Sequence, residues 1–282
     1  MNVMGDRAGR HEAAPATAVR PLPVAPMTAR QRGWAWTALR GFREIVLVVG
    51  VYSLYDVSRY LVEGDHDGAV SHGLAIFHFE QRIGLDPEHA LNRLFSAHLL
   101  LALPADYIYA TLHYIVTPLV LIWMWRRHSA SYSQARTILL VTTVFGLAVF
   151  SLLPVAPPRL LPGFIDTMAR EAHYGWWSTD ASAPRGFGGA TNSFAAMPSL
   201  HVGWALWSGW QIVTHARHRL ARLAGGLYPV LISVVVIGTA NHYLADVVAG
   251  VAVLGLAWVF VRLLASLEWR VWRRSIFTSS AG

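Results

Sequence analysis

The sequence has no cysteine and no lysine, and little charge of either sign. Without cysteine, disulfide bonds and thiolate metal ligands are excluded. Without lysine, all 23 basic side chains are arginines. Charged residues make up 14% of the 282 positions, about half the share of an ordinary soluble domain. What stands in their place is apolar: 54% hydrophobic residues, 12 tryptophans and a mean hydropathy of +0.39. That is the composition of a membrane protein. The formal charge of +7 does not point to nucleic acid, because the arginines flank apolar segments and do not gather in an exposed polar domain. Residues 1–36 lack a sustained apolar run and are rich in Ala, Pro and Arg. They read as a flexible cytoplasmic tail reaching to about residue 38, with no cleaved signal expected. No tandem repeat is present.

Six stretches approach the roughly 20 apolar residues that a bilayer requires: 42–62, 106–125, 136–154, 199–214, 224–240 and 244–264. The expected fold is therefore all-α, a polytopic bundle of six transmembrane helices over 39–268, followed by a cytoplasmic tail at 269–282. Arginine placement sets its orientation. Arg30, Arg32, Arg40 and Arg43 precede the first span; Arg126, Arg127 and Arg136 fill the second connection. Arg217, Arg219 and Arg222 fill the fourth, and Arg270, Arg273 and Arg274 follow the last. All lie on one side of an even-numbered bundle, which the positive-inside bias assigns to the cytoplasm. The protein is thus expected in the cell membrane as a multi-pass protein. The first outer stretch, 63–105, has helical apolar spacing and predicts one or two interfacial helices divided by Pro87, with Glu88 and His89 in a first turn.

Two histidines open apolar segments on the outer side. In "NHYLAD", His242 and Asp246 are four residues apart, one helical turn on the same face. A carboxylate there needs a partner, and an imidazole N–H supplies one while leaving the other ring nitrogen free as nucleophile or base. The same pair also suits a plain helix cap. In "MPSLH", Pro198 and Ser199 mark a helix start whose amides at Ser199, Leu200 and His201 have no intrahelical acceptor, an arrangement that holds anions. His201 is placed there to protonate a departing oxygen. Arg159, in "APPR" just beyond the third span, adds a guanidinium suited to a phosphoryl group.

These three segments resemble, in order and spacing, the signature of the PAP2 phosphatase/phosphotransferase superfamily. "FHFEQRIGLDPE" is similar to its inositol-phosphorylceramide-synthase-like, or aureobasidin-resistance-like, branch. The resemblance implies a six-helix membrane bundle with an active site near the outer surface and no metal or other cofactor. It implies that His242 attacks phosphorus to form a phosphohistidine, that Asp246 orients it, and that His201 protonates the leaving oxygen. Arg159, Ser199 and amides near Leu200 would hold the nonbridging oxygens. The implied substrate is a phospholipid or polyprenyl-phosphate-type lipid, with water or a polyol as acceptor. Two positions that are cationic in the family pattern are Leu152 and Val236 here, which favours a less charged phosphate such as a phosphodiester.

Further polar residues are candidates for a substrate pocket: Asp56 with Arg59, Tyr109 with His113, Arg185 and Asn241. Each also suits a structural hydrogen-bond network. Trp176 and Trp177 are expected to anchor the outer loop at the interface, and Glu80 and Arg82 to pack the interfacial helix onto the bundle. A nonenzymatic lipid carrier or flippase and a structural membrane subunit are the competing functions.

Overall fold

In this computed structural model the described residues are 66–177 and 194–279, with side chains through 267, together with scattered helical positions between 41 and 53. The chain divides into two compact units, Met1–Leu47 and Val48–Gly282. In the first, residues 41–44, 46 and 47 are helical. Most of the predicted first span lies outside the described residues, and so do Asp56, Arg59 and Arg185.

The second unit contains helices α1 (His66–Ile83), α2 (Glu88–Ala97), α3 (Leu99–Arg127), α4 (Ser129–Leu152) and a short α5 (Thr167–Arg170). After these come α6 (Leu200–His215), α7 (Arg219–Gly238) and α8 (Leu244–Ser279), and 3₁₀ turns stand at Pro158–Leu160 and Ala172–Tyr174. Pro87 does stand between α1 and α2, as the N-cap of α2 at φ −69°, and Gly84 ends α1 by taking φ +69°. Among the described residues, four helices are long and apolar enough to cross a membrane: α3, α4, α7 and the Leu244–Leu267 part of α8. Their outer faces expose Leu100, Leu119, Leu231 and Leu256, side chains at home in lipid. The chain is an all-α, multi-pass membrane protein.

The predicted fourth span differs from the others. As α6 it covers 16 residues, about 24 Å at 1.5 Å per residue, which is short of the roughly 30 Å of hydrocarbon. It is also well enclosed, packed against α3, α4, α7 and α8. Trp204 Nε1 donates to Thr143 Oγ1 (3.0 Å) and Trp207 Nε1 to the Ala135 carbonyl (2.9 Å), fixing α6 to α4. Within α4 the hydroxyls of Thr142, Thr143 and Ser151 donate to carbonyls four residues back, so no hydroxyl proton is stranded in apolar surroundings. Against α7 the approach is closer still. A Cβ on Gly209 would collide with the Gly225 carbonyl, so the two backbones meet through glycine alone.

α1 and α2 are joined to the bundle by polar contacts. The Ala156 amide donates to the Ala69 carbonyl (2.9 Å), and His72 Nδ1 to the Pro154 carbonyl (2.9 Å). Glu80 and Glu88 are buried, at 2% and 0% exposure, against the start of α8, while Arg82 is exposed. Glu80, and not Arg82, therefore carries the expected packing of this helix. Trp177 also departs from expectation. It is fully buried, its ring edge-on to Tyr107 and its Nε1 donating to the Met168 carbonyl (2.9 Å), because an indole N–H can be buried once it finds an acceptor. Trp176 remains partly exposed.

The α6–α7 packing sets apart two helical glycines, Gly209 at the contact and Gly226 in open space. Gly209→Ala is expected to cost about 1–3 kcal/mol through backbone collision. Gly226→Ala, whose Cβ meets nothing within 4 Å, is expected to be neutral or to stabilise by up to about 1 kcal/mol through helix propensity. Thermal unfolding of both variants in the same detergent measures the difference.

Candidate active site

Between α7 and α8 the chain reverses over residues 239–243. Ala240 takes φ +56°, the left-handed region that costs a residue with a Cβ about 1–2 kcal/mol. That turn lets the amides of Asn241 and His242 both donate to the Val236 carbonyl (3.0 and 3.1 Å), closing the end of α7. His242 is thereby held, buried, immediately ahead of the first turn of α8.

Two acceptors face the same ring nitrogen. His242 Nδ1 lies 2.8 Å from the Ala196 carbonyl and 3.3 Å from Asp246 Oδ2. A carbonyl oxygen only accepts, so Nδ1 carries the proton, and in the neutral ring Nε2 carries a lone pair. The sequence placed Asp246 beside His242, and the structure does bring them together. The nearer partner, however, is a main-chain atom 46 residues away. Asp246 Oδ2 also accepts from the Tyr243 amide (2.9 Å), and the Asp246 carbonyl accepts from the Ser199 amide (2.9 Å). The two histidine-bearing segments are therefore tied to each other at the backbone. α6 and α8 also approach closely here, since a Cβ on Gly250 would strike the Ser199 carbonyl.

His201, the second residue of α6, stands opposite. Its ring centroid is 5.8 Å from that of His242, well under a helix diameter of about 10 Å. Tyr109 stacks on it at 4.4 Å and His113 meets it edge-on at 4.4 Å, so both α3 residues named from the sequence border His201. Ser199 is the N-cap of α6, its Oγ accepting from the Val202 amide at 3.4 Å. Its own amide is occupied by Asp246. Among the described residues, the amides of Leu200 and His201 have no protein acceptor, as the first amides of a helix lack intrahelical partners.

Arg159 reaches the same turn from the 3₁₀ segment after α4. Its amide donates to the Ala240 carbonyl (2.8 Å) and its Nη1 to Asn241 Oδ1 (2.6 Å). Its Nε pairs with Asp166 Oδ2 at 3.5 Å. Asn241 is engaged at both ends, because its Nδ2 donates to Thr239 Oγ1 (2.9 Å). In this geometry Asn241 positions Arg159. The chain segments are joined by a parallel bridge between Val155 and Ala195, with the Val155 amide donating to the Phe194 carbonyl (2.8 Å) and the Ala196 amide to the Val155 carbonyl (3.3 Å). Tyr243 Oη donates to the Ala156 carbonyl (2.9 Å). Burial pushes that phenol well above its usual range.

Four contributors were not placed in the site by the sequence. The Ala196 carbonyl has no side-chain signature. Asp166 does leave a signal, since Asp before "TMAR" is a helix N-cap and its Oδ1 accepts from the Ala169 amide (2.9 Å). Its other oxygen was not predictable as the partner of Arg159. Glu80 and Glu88 were visible as charges in an amphipathic stretch, but not as groups reaching α8.

A protein-family model described as the PAP2 superfamily matches residues 74–260, a stretch that includes Arg159, His201, His242 and Asp246. The chain belongs to the PAP2 superfamily. No match to it is found among curated proteins or among solved structures.

The two acceptors on Nδ1 predict a separable outcome. In ¹⁵N-histidine spectra of the detergent-solubilised protein, His242 should appear as the Nδ1–H tautomer. Asp246→Asn should leave that tautomer in place, because the closer Ala196 carbonyl remains. An Nε2–H form in the wild type would contradict the geometry.

Proposed function

We propose that this PAP2 superfamily member is an integral-membrane lipid phosphotransferase or phosphatase that works through a phosphohistidine on His242. The observation that carries this is the double engagement of His242 Nδ1, which leaves the lone pair on Nε2, in a ring whose centroid is 5.8 Å from that of His201. Nε2 attacks phosphorus as the bond from phosphorus to the leaving oxygen breaks, and His201, protonated in company with the bound anionic substrate, gives that oxygen its proton. In the second half, neutral His201 takes a proton from water or an alcohol. The incoming oxygen bonds to phosphorus, the P–N bond breaks, and both histidines return to their starting state.

The two partners of Nδ1 divide the work. The carbonyl sets the tautomer, and the Asp246 carboxylate balances the positive charge the ring gains on attack. Arg159 and the amides of Leu200 and His201 receive the nonbridging oxygens, and Ser199 shapes that helix start as its cap.

Charge favours a phosphodiester. The Arg159 guanidinium is already paired with Asp166. Of the two positions that are cationic in the family pattern, Leu152 is 85% exposed at the end of α4 and Val236 is fully buried in the apolar core. Such a site suits one negative charge better than the several of a free diphosphate. This supports the inositol-phosphorylceramide-synthase-like reading, with transfer to a polyol bordered by Tyr109 and His113. Arginine placement supports six spans, counting 42–62 and α6, and an extracytoplasmic site.

The test is turnover of phosphodiester lipids by purified protein, with and without inositol or another polyol. Phosphodiester turnover should exceed that of a lipid diphosphate, and acceptor should divert product from water. His242→Ala should lower turnover by about a thousandfold or more and abolish an acid-labile phosphoprotein. His201→Ala should slow its formation, and Asp246→Asn should cost on the order of a hundredfold. Lipid transport that survives His242→Ala, without a phosphoprotein, would favour a carrier instead.

A further inference from the structure

Among the described residues, α8 begins with an arrangement of carboxyl groups that its own chain supplies only in part. The first amides of a helix need acceptors from outside it. Here the Tyr243 amide goes to Asp246, whereas the next two leave the local chain altogether. The Leu244 amide donates to Glu88 Oε1 at 2.7 Å, and the Ala245 amide to Glu80 Oε1 at 2.6 Å. These glutamates come from α2 and α1, 156 and 165 residues earlier. The two amides they hold lie between His242 and Asp246 in the chain.

We propose that Glu80 and Glu88 are positioning residues for His242, gripping the first turn of α8 so that the imidazole and its carboxylate keep their alignment with His201. The inference rests on the phosphohistidine reading for its consequence in turnover, but the grip itself is a matter of geometry. A loss of alignment of about 1 Å suffices to cost a large factor in rate. No other contact described here holds the Leu244 and Ala245 amides.

An ordinary cap would need neither two groups nor a charge; a local Ser or Asn satisfies a helix start. Both glutamates are almost completely buried, each uses Oε1 on an amide of α8, and their side chains bond to one another, Glu80 donating and Glu88 accepting. Two buried carboxyls that act on one another do not both ionise readily. Burial raises Glu80 to about 8 and raises Glu88 as well; the charged groups that bear on the pair, Asp86 in the α1–α2 link and Asp246 on α8, are acidic and push the same way. The pair accordingly keeps a proton at neutral pH, on Glu80. Above about pH 8 a second negative charge arises beside Asp246 and works against the grip.

The experiment compares Glu80→Ala, Glu88→Ala and Glu80→Gln in the full-length detergent-solubilised protein, reading kcat, KM, the pH profile and the ¹⁵N signals of His242. The alanine variants should lower kcat by about tenfold to a hundredfold at unchanged KM and shift the His242 signals. Glu80→Gln is the decisive variant, because its amide oxygen still accepts from Ala245 and its NH₂ replaces the shared proton. It should rescue kcat to within about threefold of wild type and remove the fall in rate above pH 8. If Glu80→Gln and the alanine variants keep the wild-type kcat, alkaline limb and imidazole signals, and only melting temperature moves, the glutamates are structural caps and the proposal is overturned. If wild type shows no turnover, or His242→Ala retains it, the phosphohistidine reading falls while the imidazole signals still decide the grip.

Discussion

Hydrogen-bond donors at the start of a helix have to find acceptors, and inside a membrane protein water is not there to supply them. At α8 this requirement organises the rest of the site. Three carboxyl groups converge on the amides of Tyr243, Leu244 and Ala245, one from α8 itself and two from helices near the beginning of the described chain. Because the amides attract negative charge, acidic side chains are favoured where apolar surroundings would otherwise reject them. Satisfying the helix also brings α1 and α2 against the turn that carries His242.

The same economy of polar groups recurs throughout the bundle. Hydroxyls of Thr142 and Thr143 donate to their own helix, and the indole nitrogens of Trp204, Trp207 and Trp177 end on a hydroxyl or a main-chain carbonyl. Asn241 has each end of its amide assigned. Among the described residues, the lone pair of His242 Nε2 and the amides of Leu200 and His201 are groups the fold leaves without a protein partner at the site.

Much of this was legible in the sequence, and its limits are physical. Apolar length announced the membrane helices, because a bilayer fixes the length a helix must have; α6 fell short since its neighbours, and not lipid, surround much of it. His242 and Asp246 were readable as a pair, a spacing of four being a local property of a helix. His201 and Arg159 joined them through motif order and the family resemblance. The Ala196 carbonyl was not readable, because a backbone atom bears no residue identity. Nor was the pairing of Arg159 with Asp166, or the reach of Glu80 and Glu88 across more than 150 residues. Such contacts depend on how segments far apart in the chain are folded together. Trp177 was misread for a related reason: a tryptophan near a predicted interface suits an anchor, and only the Met168 carbonyl makes its burial affordable.

The bridge between Val155 and Ala195 has a genetic consequence. It delivers the Ala196 carbonyl to His242 through peptide groups, and all twenty amino acids carry the same carbonyl. Point substitution at that codon can crowd the neighbourhood or displace the strand, but it cannot delete the oxygen that decides which ring nitrogen is protonated. At Ala196 the constraint falls on volume and on keeping an amide N–H for the Val155 carbonyl, and the protonation pattern of the nucleophile is inherited through the path of the chain.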